Sequence, residues 1–347
     1  MPTIPQLEWA TMTAVVNEIK TPNRLVRDTL FSAEDPQSTE SINYDLLTGD
    51  RKSAPFVSKN SKGIMVEGYG EKFQAIEPPN IRITRPLTAA QAFFARTPGS
   101  PVFIGTGDQT SEINKKIARD LRRLVEMRDN AIEWLACQAL RGSIAYQIDE
   151  QASFKITFPR SNSHSITLST FWDQPNSTPS DDILTAMELV SADADLPVTD
   201  AFLGSEASRV FSKHTQLLGL LDTRNVLLGS IDLTRQYSEK GALYLGTIRG
   251  VRFWGYNRKA NVNGAEEDLI RAKYAEFVSA TPAAENVLYY GAIADWDAFN
   301  GQAWATPSFS KSWIEKDPSV YMSLLASRPL PVMRRPDSTV SMKVVSG

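Results

Sequence analysis

Residues 111–141, SEINKKIARDLRRLVEMRDNAIEWLACQALR, contain neither glycine nor proline. Ile113, Ile117, Leu121, Leu124, Val125, Arg128, Ile132, Leu135 and Ala139 recur at spacings of three and four, apolar at every place but Arg128. That period is the helical one, and it predicts a single uninterrupted α-helix with one buried stripe. At 1.5 Å per residue the helix is about 45 Å long, a strut rather than a packing element of one small domain. Its charges interleave: Lys115, Lys116, Arg119, Arg122, Arg123, Arg128 and Arg141 against Glu112, Asp120, Glu126, Asp129 and Glu133. A balance of +2 reads as a salt-bridged, solvated face rather than a tight phosphate site. Cys137, among Leu135, Ala136 and Leu140, reads as a buried, inert thiol.

Outward from the helix the period changes. Phe154, Ile156 and Phe158, then Ile166 and Leu168, alternate as strand residues do, which lays a sheet beside the helix in an α+β arrangement. On the other side, Ser38 to Thr88 is a series of short β-type runs broken by Gly, Asn, Pro and Lys, as in an extended hairpin. Arg51, Lys52, Lys59 and Lys62 fall in that hairpin with no acidic residue from 51 to 62. Too polar to fill a core, it would project from the body. The first 35 residues read as a polar arm with a short helix from Thr11 to Asn17, and the C-terminal stretch as two apolar strands around a proline-rich turn.

Composition narrows the class. With 347 residues, 42% hydrophobic and 22% charged, the chain has room for about two compact domains and is not a disordered one. Its net charge of −3 gives no overall attraction to a polyanion. One cysteine and two histidines exclude Cys/His zinc sites and fit a reducing compartment. The N-terminus MPTIPQLEWATMTAV does not read as a signal peptide, and no run is apolar enough to span a bilayer.

Reactive constellations are scarce. Gly105-x-Gly107 lacks the third glycine of a dinucleotide fingerprint and the Gly-Lys-Ser/Thr of a P-loop, so it reads as a turn before a helix capped by Asp108 or Thr110. His164 and His214 have no carboxylate or nucleophile at a characteristic spacing. Asp181-Asp182 reads as a helix start and Asp295-x-Asp297 as a solvated loop rather than cation ligands. The sequence thus predicts no catalytic, cofactor or metal residues.

Charge is segregated along the chain. Residues 173–206 hold eight acidic side chains and no Lys or Arg, and residues 209–259 hold nine basic groups against three acidic ones. Complementary segments of this kind orient partners and speed their association. Either they face each other across subunit boundaries or they pair within one subunit. The candidate inter-subunit residues are Arg51, Lys52, Lys59, Lys62, Asp181, Asp182, Arg249, Arg252 and Arg258.

Four stretches, YGEKFQAIEPPNIRITRPLT (69–88), WDQPNSTPSDDILTAMELV (172–190), VLYYGAIADWDAFNGQAWATP (287–307) and DPSVYMSLLASRPLPVMRRPDSTVSMKVV (317–345), resemble the phage lambda-type major capsid (head) protein E family in the same order along most of the chain. The resemblance implies the Hong Kong 97 capsid fold: an N-terminal arm at 1–35, an extended loop at 36–90, and a peripheral domain at 91–180 carrying the spine helix 111–141. It further implies an axial domain at 181–310 and C-terminal strands at 311–347 returning to the peripheral domain. As function it implies a non-enzymatic, self-assembling virion protein of a tailed double-stranded DNA bacteriophage, built into hexamers and pentamers of an icosahedral head in the host bacterial cytoplasm. The implied partners are scaffold, portal and decoration proteins and packaged double-stranded DNA in weak, non-specific contact, with no membrane and no cofactor. Two alternatives stand beside it: a cellular nanocompartment shell of the same fold, and a two-domain cytosolic enzyme with an unrecognised pocket.

Overall fold

The computed structural model describes residues 9–19, 24–47, 71–89, 91, 109–147, 153–220, 242–262, 264–298 and 305–347. The predicted turn at Gly105–Asp108 and the basic residues Arg51, Lys52, Lys59 and Lys62 lie outside them.

Before the strut come two short helices, α1 (Trp9–Glu18) and α2 (Leu25–Leu30), and the strut itself is α3 (Gln109–Leu140), 32 residues long. The helix serves two cores in succession. Ile113, Ile117, Leu121, Leu124 and Val125 pack with Met12 and Val16 of α1 and with Leu87, Tyr321 and Leu325. About two turns later Ile132, Leu135, Ala136, Ala139 and Leu140 enter a larger core with α2 residues Leu25, Val26 and Leu30. The predicted stripe is therefore buried throughout, Arg128 included.

The predicted hairpin has a described base: β2 (Ile42–Leu47) pairs antiparallel with β3 (Glu71–Ile76). Strand β4 (Ile81–Thr88) leaves it and joins a three-stranded sheet with β15 (Phe309–Lys316) and β16 (Ser319–Ser327). Helix α1 is fastened to that sheet, because the Thr13 hydroxyl donates to the Ser310 carbonyl and accepts the Ser310 N–H, at 3.2 and 3.1 Å. The N-terminal segment is better anchored than its polar composition indicates.

A six-stranded sheet in the order β7-β18-β13-β8-β10-β9 forms the third core. Its strands are β7 (Ser165–Thr167), β8 (Asp200–Leu203), β9 (Leu243–Ile248), β10 (Val251–Gly255), β13 (Tyr274–Val278) and β18 (Thr339–Lys343). Helix α4 (Pro179–Ala194) turns Ile183, Ala186 and Val190 onto it, a three-to-four spacing that places one face inward. Phe253 stacks on Phe211 at 4.8 Å and meets Phe277 edge-on at 6.2 Å.

The C-terminal stretch read as two strands makes four. Between the two expected runs, the proline-rich turn is itself strand β17 (Pro329–Val332), paired on one side with β14 (Val287–Tyr290). Pro329 and Pro331 can occupy it because β17 is an edge strand of its sheet, where a missing N–H leaves no ladder bond unmade. The outer partner of β14 is β1 (Ala33–Pro36), so three segments far apart in sequence close one sheet.

Candidate inter-subunit surface

At the start of α4, Pro179 has its φ already set for a helix, and Asp181 and Asp182 occupy the first turn, where the helix dipole favours carboxylates. Asp182 is held by the Trp172 indole N–H, 2.9 Å from Oδ2. Partial burial pushes the Asp182 carboxyl up, the Trp172 bond pulls it down, and neighbouring Asp181 pushes it up again. Asp181 itself is exposed.

Facing this helix start is the tip of the β9–β10 hairpin. Ile248 and Val251 are paired, leaving Arg249 and Gly250 as a two-residue turn with φ of +52° and +85°. Both positive values mark the twist-matched turn that normally takes Asn-Gly or Asp-Gly. An arginine here is strained, and strain retained at an exposed tip points to a use for the side chain. The Arg249 guanidinium reaches Ser180 Oγ at 3.1 Å. The fold thus gathers Asp181, Asp182 and Arg249 at one end of the sheet.

The other two described candidates go elsewhere. Arg252 pairs with Asp200 of its own chain at 2.8 Å, and Asp200 is fully buried, accepting also from Trp254 Nε1 and Thr199 Oγ1. Arg258 donates to Asn130 Oδ1 on α3 at 3.2 Å. The segregated charges are therefore joined within one chain at Asp200–Arg252.

Arg258 stands at a cavity of about 810 Å³ between α3, β11 (Lys259–Val262) and the hairpin of β5 (Ser143–Gln147) and β6 (Ser153–Thr157), lined by Met127, Trp134, Tyr146 and Phe154. Glu133, on its wall, is 1% exposed. Its two carboxylate oxygens accept the N–H groups of Val26 and Arg27 at 3.0 and 2.9 Å, and Oε1 also accepts the Tyr256 hydroxyl at 2.8 Å. These are orphan donors of the first turn of α2, so Glu133 caps a helix 107 residues away in sequence. Burial pushes the Glu133 carboxyl up, against the three hydrogen bonds that favour its charge. Burial likewise raises Tyr256, and the adjacent carboxylate raises it further.

The solvated, balanced surface expected of α3 is corrected by these contacts. Asp129 and Glu133 are buried, Asp129 against Arg128 at 2.7 Å and Glu133 under α2, while Asp120 turns to Arg85 at 2.6 Å. The helix neutralises much of its acidic charge inward and leaves basic groups outside. Asp295 and Asp297 are not simply solvated either: Lys311 Nζ bridges them at 2.7 Å to each. Between them Trp296 is 90% exposed. His164, fully buried, has ring nitrogens 2.8 Å from Thr339 O and from Asp193 Oδ2, which ties the end of α4 to β18. His214 Nε2 meets Ser177 Oγ at 3.0 Å, and Cys137 is buried with its thiol pushed up by burial. Among the described residues no three His, Cys, Asp or Glu side chains converge as a metal site, and no helix is long and apolar enough to cross a membrane.

A long strut carrying successive cores, the paired base strands β2 and β3 and an outlying sheet match the Hong Kong 97-type fold of phage capsid proteins. The crystal structure of the putative capsid protein of a prophage of Escherichia coli CFT073 superposes with a TM-score of 0.73 at 18% identity, covering 98% of this chain and 99% of that one. A phage-related protein from Bordetella bronchiseptica RB50 gives 0.54 at 12% identity over 97% of both chains. In sequence, the major capsid protein of Enterobacteria phage P21 is 25% identical over 328 residues, covering 88% of this chain and 90% of the relative. The description "Phage major capsid protein E" matches residues 8–344, and the chain belongs to that family. It is a phage major capsid protein, a structural component of the virion head.

Proposed function

We propose that the chain assembles as hexamers and pentamers into the icosahedral head of a tailed bacteriophage, in the host cytoplasm, around double-stranded DNA. Scaffold, portal and decoration proteins are the proposed partners, and no enzymatic step is assigned to the subunit. The observation that supports this most is the family match, which runs from residue 8 to residue 344. We divide the subunit into an arm (1–35), an extended loop (36–90), a peripheral domain (91–180), an axial domain (181–310) and returning C-terminal strands (311–347). The sheets cross these limits, since β14 pairs with β1 and β17, and β18 pairs with β13.

Asp181, Asp182 and Arg249 are the proposed contacts around the capsomer axis, a reading supported by the reach of the exposed Arg249 to Ser180 beside the two carboxylates, and Arg51, Lys52, Lys59 and Lys62 the proposed contacts of the loop with a neighbour. Weak contacts of this kind become effective when a closed ring repeats them. Arg252 and Arg258, tied to Asp200 and Asn130, would act between subunits through whatever part of their charge stays exposed. Size-exclusion chromatography with negative-stain electron microscopy tests the reading. Rings, tubes or shells are expected from the wild type, and a folded but assembly-deficient protein from Arg249→Glu. A chain that stays small with its scaffold present would contradict it.

A further inference from the structure

Counting charges along α3 gives near balance, but the helix does not display that balance. From Asn114 to Arg123 the outward positions are Asn114, Lys115, Ala118, Arg119, Arg122 and Arg123. The one acidic residue in that interval, Asp120, points to Arg85. Among the described residues none forms an ion pair with Arg119, Arg122 or Arg123.

We propose that this face of α3, centred on Arg119, Arg122 and Arg123, is a binding surface for the phosphates of double-stranded nucleic acid. The proposal rests on the reading of the chain as a subunit that encloses DNA, and it adds where the contact is made. Arg119 and Arg123 are one turn apart, about 6 Å along the axis. That distance spans about two phosphate steps of one duplex strand, at 3.4 Å each. The guanidinium fork suits phosphate oxygens and keeps its charge at any working pH. A protein partner is the less suitable occupant, because the core of such an interface is apolar and aromatic, and the stripe offers only Ala118 and Asn114 between its charges.

Three neutralised phosphates per subunit make a weak, salt-sensitive contact that sums over many copies without gripping any one sequence. Such a contact lets a polyanion enter and leave. It also corrects the expectation from the sequence, which took Asp129 and Glu133 as surface charges opposing the arginines.

The test is binding of a mixed-sequence DNA duplex to the purified full chain, followed by fluorescence anisotropy from 50 to 200 mM salt, with Arg119→Gln/Arg122→Gln/Arg123→Gln as the variant. Each contact contributes about −0.9 to the slope of log affinity on log salt, so the variant should lose about 2.7 from that slope, an about 40-fold change over this range. An unchanged slope overturns the proposal, as does binding of poly-glutamate in place of the duplex. Circular dichroism checks that the variant folds. Shell formation is read in parallel: wild-type shells with an unchanged slope in the variant overturn this surface alone, whereas a wild type that never assembles overturns the reading beneath it.

Discussion

The two halves of α3 have the same apolar spacing, yet they do opposite things with their charges. From Ile113 to Val125 the helix buries one stripe against α1 and β16 and keeps its arginines outside. From Arg128 to Leu140 nearly every side chain is buried, and the charged ones are buried in partnerships: Arg128 with Asp129, and Glu133 with the first turn of α2. What separates the halves is the number of elements packed around them. A half covered on one face can leave ions in water. A half covered on most sides must pair each ion or cap it, because an unpaired buried charge costs several kcal/mol.

The contrast can be broken most sharply at Glu133. Glu133→Ala strands the Val26 and Arg27 amides and the Tyr256 hydroxyl, and a loss of about 3 kcal/mol is expected in chemical denaturation of the unassembled subunit. Leu140→Ala, at a position with no exposure, opens a cavity in the same core and should cost a similar 2 to 4 kcal/mol, about. On the outward half, Arg122→Ala should change stability by less than about 0.5 kcal/mol. Equal losses at Glu133 and Arg122 would dissolve the distinction.

Acidity sharpens it further. Burial raises the Glu133 carboxyl in the folded chain above its unfolded value, so the native state holds that proton more tightly. This contribution favours folding at low pH and is lost as pH rises through the folded value. The stability of the wild type relative to Glu133→Gln should therefore increase as pH is lowered from 8 towards 4. A difference independent of pH would mean that the carboxylate is not desolvated as its surroundings imply. A small effect of the opposite sign is expected at the hairpin tip. Arg249→Asn should stabilise the subunit by about 0.5 kcal/mol, since Asn tolerates a positive φ that arginine resists. If Arg249 is a subunit contact, the same substitution should weaken assembly while raising the midpoint of unfolding.

The sequence carried the local periods and not the distant partners. Nine residues at helical spacing define α3 because a buried stripe must follow the geometry of the helix whatever it packs against. Strand β17 was hidden by Pro329 and Pro331, which mark a turn unless the strand lies at a sheet edge. Of the candidate contacts, Asp181 and Asp182 were legible as a helix start. The approach of Arg249 to that helix start depends on a hairpin tip brought to Ser180 from 69 residues away. Glu133 left no mark at all, since its partners Val26 and Arg27 are backbone amides on another element, and backbone carries no residue signal. The same blindness made the α3 surface look balanced, because charge counts do not record which way a carboxylate faces.

The central claim is that this is a shell subunit whose α3 arginines face what the shell encloses. Cryo-electron microscopy of the assembled particle tests it directly. The account predicts hexameric and pentameric capsomers with Arg119, Arg122 and Arg123 on the inner wall, open to the lumen. Capsomers in which that face is covered by a neighbouring subunit or turned to the outside would contradict it.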